Sequence, residues 1–367
     1  MTISRLLTPC TLAFLCALGV ACSADADSGE TETSGGDGET GGDGDFPPAL
    51  LSCPVAGSLP FTPQSDTFVD PANAQLVMDL PRFKDEASDL LGNPDGPYAY
   101  TRVDVDTPAN QNQLRFAGNR GRTGDDMGLL STPIPGEFVS LWSFDGSGWN
   151  ELSRVSTDTD GDYEVSGVSP SPNNFQPVYA VLEGDGSCAA HYTFLLNAGT
   201  HVILSDIDGT LTASDDELFS QIADVNYDPL EKGSASALAN AWADKGYQMV
   251  YLTARPHLFR AETRGWLRDH NFPVGPVITA NSLTAGSLAV AYKGAWVSRL
   301  VDDLGWDIYT AYGNATSDID GYAQGGIPKN VTFIIGENAG VDGTQPIADN
   351  DYAQHIQDYV LTQPDAG

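Results

Sequence analysis

The chain after residue 200 alternates short apolar runs with stretches of helical periodicity. The runs are rich in β-branched and aromatic residues, whereas the longer stretches repeat apolar positions every three to four residues. Predicted strands are HVILS, YQMVYLTARP, PVITA, IYTAYGN and NVTFIIGE, and predicted helices are SASALANAWADKG, HLFRAETRGWLRDH and VAYKGAWVSRLVDDLG. Strands that alternate with helices predict a doubly wound parallel α/β sheet, which we assign to residues 199–367.

The pattern before residue 200 is different. From about residue 98, short alternating runs such as YAYTRVDVD, EFVSLWSF and QPVYAVLEG are separated by clusters of Gly, Pro, Asn and Asp. Strands at this spacing predict an antiparallel β-sandwich of the immunoglobulin or prealbumin-like kind. We assign residues 51–198 to this domain and include a short N-terminal helix within 74–96.

The first residues have the features of an export signal. Residues 1–21 contain one basic residue, an apolar run too short to span a bilayer comfortably, and small residues just before Cys22. The stretch LGVAC resembles a bacterial lipobox, which would make Cys22 the lipidated first residue of the mature chain; ordinary cleavage is the alternative. The expectation is an exported protein, anchored to a membrane at the periplasm or cell surface.

Charge is distributed very unevenly. Residues 23–45 are strongly acidic and almost free of apolar side chains, which predicts a disordered tether over residues 22–50. The whole chain has 50 acidic and 17 basic residues and a formal net charge of −33. Such a charge opposes binding to phosphate backbones, so nucleic acid is excluded as a partner.

Two cysteines remain once the signal region and Cys22 are set aside. Cys53 and Cys188 could pair in an oxidising exported setting, but the sequence says nothing about the distance between them. The disulfide and the free thiols therefore stay open as alternatives.

The chemistry-bearing residues of the predicted α/β domain follow its strands. They are Asp206 and Asp208, then Thr253 and Arg255, then Asn314 and Asp318, with Lys293 on the third predicted helix. In open parallel sheets, ligands bind outside the carboxyl ends of the strands, so these residues are expected to meet in one crevice.

The two aspartates after the first strand suit phosphoryl transfer. One can act as a nucleophile and the other as an acid or base. Because two carboxylates repel each other and a phosphate, the site needs a divalent cation, and Mg²⁺ prefers oxygen ligands. Asp318, with help from Asn314, is the natural remaining ligand.

These residues carry a family resemblance. DIDGTLT, YLTARP, Lys293 and GNATSD resemble the four motifs of the haloacid dehalogenase superfamily of phosphotransferases. Residues 201–340 resemble the lipin-type phosphatidate phosphatase domain, and HNFPVGPVI is similar to the related C-terminal domain of membrane-associated phosphatidylinositol transfer proteins. The resemblance leaves out the β-domain and the tether.

The resemblance implies roles for individual residues. Asp206 would form the aspartyl-phosphate, and Asp208 would protonate the leaving group and then activate water. Thr253 would bind the transferring phosphoryl group, and Lys293 would offset its charge. The implied Mg²⁺ ligands are Asp206, the carbonyl of Asp208, Asn314 and Asp318.

Two further residues are candidates for substrate binding beside Thr253. Gly209 lies in the turn that follows the aspartates. Arg255 is either a phosphate clamp or the structural partner of an acid.

The sequence leaves two functions open. In the transfer-protein relatives the nucleophile position is typically lost, whereas Asp206 is present here, so hydrolysis is chemically possible. The motif spacing leaves no room for a large cap domain, and an uncapped site admits bulky substrates such as a lipid phosphate. The first function is a Mg²⁺-dependent phosphomonoester hydrolase acting on phosphatidate or a similar phosphate, and the alternative is a non-catalytic module that binds phosphatidate or another lipid.

Overall fold

The structure is a computed structural model, and its described part begins at residue 97. It describes residues 97–101, 114–123, 131–133, 136, 138–144, 149–159, 162–168, 177–182, 188–192, 196, 198–223, 227–256, 259–280 and 284–367. The predicted signal, Cys22, the tether, Cys53 and the helix within 74–96 lie outside these residues. The backbone of Cys188 is described but its side chain is not, so the disulfide stays a prediction.

Two antiparallel sheets of four strands precede the α/β domain. In the first, β2 pairs with β1, β3 and β6, and the second has the order β5-β4-β7-β8. The strands are β1 Pro97–Thr101, β2 Leu114–Thr123, β3 Ser131–Pro133, β4 Phe138–Phe144, β5 Trp149–Ser156, β6 Asp162–Val168, β7 Pro177–Leu182 and β8 Cys188–Tyr192.

The two sheets share one buried cluster. It contains Val139 and Leu141 of β4, Ala180 of β7, and Tyr163 and Val165 of β6. Because β4 and β7 belong to one sheet and β6 to the other, the sheets pack face to face. This arrangement is the sandwich that the alternating pattern predicts.

The second half of the chain folds into a six-stranded parallel sheet with the order β11-β10-β9-β12-β13-β14. Its strands are β9 His201–Ser205, β10 Gln248–Pro256, β11 Val277–Ala280, β12 Asp307–Gly313, β13 Thr332–Ile334 and β14 Gln345–Pro346. The chain moves outward from β9 through β10 to β11 and then returns to β12 on the other side of β9. The point between β9 and β12 is therefore the topological switch point, where ligands of such sheets bind.

Helices cover both faces of this sheet. Alternate strand residues point to opposite faces, so Ile203 joins one buried cluster while Val202 and Leu204 join another. The helices are α1 Glu217–Ala223, α2 Ala235–Ala243, α3 Arg260–Asp269, α4 Ser287–Ser298, α5 Thr316–Gln324 and α6 Ala353–Asp358, and a π-helical turn, Arg299–Asp303, extends α4. The doubly wound α/β fold predicted from the sequence is confirmed.

Some elements are absent from the sequence-based prediction. They are α1, α5, β14 and α6, and the short 3₁₀ turns Lys329–Val331, Val341–Gly343, Ala348–Asn350 and Val360–Thr362. Apart from α5, which has nine residues, each has seven residues or fewer, which is too short for a periodic pattern to stand out. Within the described part of the chain, no helix combines the length and the hydropathy that crossing a bilayer requires.

The last described residues fold back on the turn before β10. Ala366 N–H donates to the carbonyl of Lys245, and Lys245 Nζ donates to the carbonyl of Gln363 at 2.8 Å. Tyr247 Oη donates to the carbonyl of Pro364. These contacts close the amino end of the sheet, opposite the edge that carries the predicted site.

Candidate active site

The turn after β9 places both motif aspartates. The carbonyl of Ile207 accepts the N–H groups of Thr210 and Leu211, and Gly209 N–H donates to Thr212 Oγ1 at 3.0 Å. Gly209 has φ +69°, a conformation that residues with a Cβ rarely adopt. The chain therefore reverses tightly just outside the sheet, with Asp206 at the end of the strand and Asp208 in the turn.

Asp206, Lys293 and Asp318 form a buried charge cluster. Their exposed fractions are 5%, 2% and 0%. Lys293 Nζ lies 2.8 Å from Asp206 Oδ1 and also contacts Asp318 Oδ1. One ammonium group therefore bridges two carboxylates, which leaves the cluster with a net charge of −1 when all three groups are ionised.

This imbalance shifts the pKa values of the cluster. Burial raises the pKa of Asp206 to about 8, and the neighbouring charges of Asp318 and Asp208 add to the rise, whereas Lys293 opposes it. Burial alone would lower the pKa of Lys293, but Asp206 and Asp318 outweigh it and raise that pKa above its ordinary value. The nucleophile candidate thus lies in a site that lacks positive charge.

Close packing of α4 against α5 brings Lys293 to the cluster. A Cβ at Gly321 of α5 would lie 2.9 Å from Lys293 Cβ and 3.1 Å from the carbonyl oxygen of Val290. Only glycine permits this approach, because real Cβ atoms essentially never come within 3.0 Å of such neighbours. The helix pair therefore fixes the base of the lysine side chain.

Asp318 is held from two sides. Its Oδ2 accepts the N–H groups of Asn314 and Ala315 at 3.0 and 2.9 Å, in the loop that leads from β12 into α5. Its Oδ1 accepts from Lys293. Since both oxygens are engaged, Asp318 anchors the lysine and the start of α5 in this structure, and it would influence a cation chiefly through its charge.

Asp208 is paired with Arg255. Arg255 Nη2 lies 2.7 Å from Asp208 Oδ1, and Nε lies 3.0 Å from each of its oxygens. Arg255 Nη1 donates to Thr263 Oγ1 at 3.1 Å, and the arginine side chain is fully buried. Of the two roles left open for Arg255, the structure favours the structural partner of an acid.

Thr253 lies beside this pair. Its Oγ1 donates to Asp208 Oδ2 at 3.4 Å and accepts the N–H of Arg255 at 3.1 Å. The threonine, at the carboxyl end of β10, thus connects the second motif to the turn that carries the aspartates.

Asn314 joins the cluster from β12. Thr210 Oγ1 lies 3.1 Å from Asn314 Oδ1 and 3.5 Å from Asp206 Oδ2. Asn314 Nδ2 donates to Asp215 Oδ1 at 3.0 Å. The structure therefore brings every predicted catalytic, substrate and metal residue of the α/β domain to one edge of the sheet.

Three residues of this network are absent from the sequence-based prediction. They are Thr210, Asp215 and Thr263. Thr210 lies within the first motif, DIDGTLT, so its polar side chain is a usable signal. Asp215 contacts Asn314, 99 positions away, and Thr263 contacts Arg255 across the junction between β10 and α3. A single sequence does not show those contacts.

The donor set is compatible with a divalent cation. Asp206 and Asp318 carry two negative charges against one lysine, Asp208 is balanced by Arg255, and Asp215 adds a further carboxylate. Asp206 Oδ2 and Asn314 Oδ1 are oxygen donors that share Thr210 as a neighbour. Among the described residues, no group of three or more His, Cys, Asp and Glu side chains could hold a metal, so a cation here would use the amide oxygen and backbone carbonyl as well.

The sheet order and the four-motif cluster at its carboxyl edge define a haloacid dehalogenase-like α/β domain. Within that class, residues 203–336 match the family model described as "PITM 1-3, LNS2 domain". This part of the chain is therefore similar to the LNS2 domain.

Curated relatives extend the comparison. Membrane-associated phosphatidylinositol transfer protein 3 of Mus musculus is 27% identical over 273 residues, which is 74% of this chain and 25% of the relative. Protein retinal degeneration B of Drosophila melanogaster is 28% identical over 234 residues, which is 63% of this chain and 17% of the relative. The chain thus spans about a quarter or less of these relatives.

Among solved structures, a putative HAD-like phosphatase from Mesorhizobium loti is similar with 18% identity and a TM-score of 0.35, over 45% of this chain and 87% of that one.

The alignment with the transfer protein of Mus musculus corrects one expectation. An alignment over 273 residues is longer than the stretch from residue 199 to the end of the chain. The similarity therefore extends into the residues before the α/β domain, although the sequence motifs suggest that it leaves out the β-domain. Strands of a β-sandwich lack short polar motifs. The similarity of the residues before 199 therefore cannot be recognised from a single sequence.

Proposed function

We propose that the chain is a Mg²⁺-dependent phosphomonoester hydrolase that works through an aspartyl-phosphate on Asp206, with phosphatidate or a similar lipid phosphate as its substrate. The observation that carries the proposal is the buried Asp206. One of its oxygens contacts Lys293, while the other lies 3.5 Å from the hydroxyl of Thr210. A carboxylate with one anchored and one available oxygen is suited to nucleophilic attack.

In the first step, Asp206 Oδ2 attacks phosphorus and the bond from phosphorus to the ester oxygen breaks. Lys293 stays on Oδ1, so the nucleophile keeps its orientation and its negative charge is offset. Thr253 Oγ1 and the N–H groups of the turn at Gly209 are the donors proposed for the phosphoryl oxygens. Fixed donors at that edge would stabilise charge spread over these oxygens, which is the main work in phosphoryl transfer.

Asp208 is the proposed acid and base. It would give a proton to the leaving alkoxide and then take a proton from the water that attacks the aspartyl-phosphate. Its carboxylate is held by Arg255 through three short contacts. The acid step therefore requires Asp208 to turn from Arg255 toward the bound ester.

The residues that would hold Mg²⁺ are Asp206, Asp208 through its carbonyl, and Asn314 through Oδ1, with Asp318 contributing its charge. Bound there, the cation would offset the surplus carboxylate charge and polarise the phosphoryl group. Asp206 and Asn314 face the same hydroxyl of Thr210, which supports their joint use.

The proposed substrate class rests on the open architecture and on the relatives. Residues 206–234, between β9 and α2, contain only the short helix α1 as an inserted element, so a large cap is absent from the described residues of this stretch. The mouse relative is named as a membrane-associated phosphatidylinositol transfer protein. Both observations favour a substrate with a bulky lipid part.

We also propose that the protein is exported and anchored through lipidated Cys22. The support is the apolar N-terminal run, the small residues before Cys22 and the acidic stretch that follows it. The anchor would hold a strongly acidic domain near a bilayer that it would otherwise avoid.

One observation favours the alternative function, a non-catalytic module that binds phosphatidate or another lipid. Arg255 occupies both oxygens of Asp208, so the acid and base candidate is engaged in the structure. A domain of this kind would bind a phosphomonoester without hydrolysing it.

Phosphate release from the full chain tests the two functions. Short-chain phosphatidate and soluble phosphomonoesters are compared in Mg²⁺ and in chelator, for the wild type and for Asp206→Asn. Release that needs Mg²⁺ and disappears in the variant supports the hydrolase, and the relative rates rank the substrates. If no substrate releases phosphate, while phosphatidate vesicles bind the wild type and Asp206→Asn equally, the binding module replaces the hydrolase.

A further inference from the structure

Asp215 lies outside the four motifs, yet it contacts one of their residues. Its Oδ1 accepts a hydrogen bond from Asn314 Nδ2 at 3.0 Å. An ionised carboxylate can only accept, so the nitrogen end of the Asn314 amide must face Asp215. The oxygen end then faces the opposite way, toward Thr210, whose Oγ1 is 3.1 Å from Asn314 Oδ1.

The amide oxygen of Asn314 therefore faces toward Asp206, the proposed nucleophile. Thr210 Oγ1 lies 3.5 Å from Asp206 Oδ2 as well as near Asn314 Oδ1. The amide oxygen and the available carboxylate oxygen therefore lie on either side of a single hydroxyl. If the amide turned by half a rotation, it would direct an N–H₂ group to this place, and N–H₂ cannot bind a cation.

The turn at Gly209 covers the contact between Asp215 and Asn314. A Cβ at residue 209 would lie 2.1 Å from Asn314 Nδ2 and 2.4 Å from Asp215 Oδ1. The glycine of the first motif thus makes room for this pair. Asp215 is consequently part of the packing of the site, although its own side chain is exposed.

We propose that Asp215 is a positioning residue, which selects the amide orientation in which Asn314 Oδ1 is presented to a divalent cation. The inference rests on the proposed function, because it takes the cation site as given. Residues that orient a metal ligand typically change metal affinity by about 10–100-fold when they are removed.

A simpler role would be long-range attraction of the cation by one more negative charge. The two roles predict different behaviour when Asn314 is replaced by Asp. A carboxylate at 314 has two equivalent oxygens and nothing to donate to Asp215, so it needs no orienting partner and is repelled by Asp215. Orientation by Asp215 matters only for the amide, whereas attraction by its charge would act in both backgrounds.

The experiment is a Mn²⁺ titration of the full chain, with free Mn²⁺ measured by electron paramagnetic resonance. The proteins are the wild type, Asp215→Ala, Asn314→Asp, the double variant, and Asp216→Ala as a control that removes a neighbouring exposed charge. Asp215→Ala should weaken binding by about 10–100-fold, and Asp216→Ala should have little effect. In the Asn314→Asp background, Asp215→Ala should leave binding unchanged or strengthen it.

The outcomes separate the two proposals. Equal affinity of the wild type and Asp215→Ala overturns the positioning role, and so does equal weakening in both backgrounds. If the wild type binds no Mn²⁺, the cation site of the proposed function fails, and this inference fails with it. Thermal unfolding without metal checks that each variant is folded, and Asp215→Asn, which permits both amide orientations, provides a second variant that should also bind more weakly.

Discussion

His355 of α6 lies where its imidazole must be neutral. Trp242 Nε1, which can only donate, is 2.8 Å from the hydroxyl of Tyr312. That hydroxyl can then direct its own proton to His355 Nε2, at 2.9 Å. Burial lowers the pKa of His355 from 6.5 to about 4, and Asp358 opposes this shift only in part.

Acidification should therefore destabilise the α/β domain through this residue. The unfolded chain takes up a proton on His355 near pH 6.5, whereas the folded chain resists it until about pH 4. The stabilisation is fully present above pH 6.5 and is lost as the pH falls toward the folded-state pKa. From these values, the loss is about 2 kcal/mol at pH 5 and about 3 kcal/mol below pH 4.

The assay is urea denaturation followed by tryptophan fluorescence, at several pH values between 7.5 and 5. His355→Gln is the control, because its amide oxygen can accept from Tyr312 and does not titrate. The other ionisable groups contribute to both proteins and cancel in the difference. We expect the free-energy gap between the wild type and the variant to shift by about 2 kcal/mol against the wild type on going to pH 5. A gap that stays constant over this range would refute the assignment of His355 as a buried neutral acceptor.

Three further predictions concern the site. Lys293→Met leaves Asp206 and Asp318 buried without their counter-ion, and urea denaturation should show a loss of about 3–5 kcal/mol, part of which Asp318→Asn restores. Arg255→Lys loses the two-pronged contact with Asp208, so phosphate-release kinetics should show a lower kcat with an unchanged KM; a raised KM with an unchanged kcat would instead indicate a phosphate clamp. Gly209→Ala places a Cβ against Asn314, and Mn²⁺ affinity should fall by about tenfold or more, whereas Gly199→Ala, at another positive φ with open space around it, should leave the affinity unchanged.

Much of the α/β domain can be predicted from the sequence because its strands are buried on both faces. Strands β9, β10 and β12 are rich in buried apolar residues, and each leads into a polar motif. The carboxyl ends of parallel strands share an edge, so the meeting of Asp206, Thr253 and Asn314 follows from local patterns. The order of the strands is not local information, and a single sequence does not contain it.

The pairing of charges within the site could not be predicted in the same way. Arg255 had two possible partners in principle, a phosphate and an acid, and only the packing of α3 against β10, which brings Thr263 to the guanidinium, separates them. Asp215 is one acidic residue among many in an acidic chain. Its contact with Asn314 depends on how the turn after β9 passes over β12, which is a tertiary property.

The central position of β9 also bears on how the chain folds. This strand is the first of the sheet to be synthesised, and its two neighbours, β10 and β12, begin at Gln248 and Asp307. One edge of β9 therefore stays uncovered until a long stretch of chain has followed. Pairings between such distant segments form slowly, and an open strand edge is a point of aggregation in the meantime. The strand that leads into Asp206 therefore gains its second neighbour only when the chain has reached Asp307.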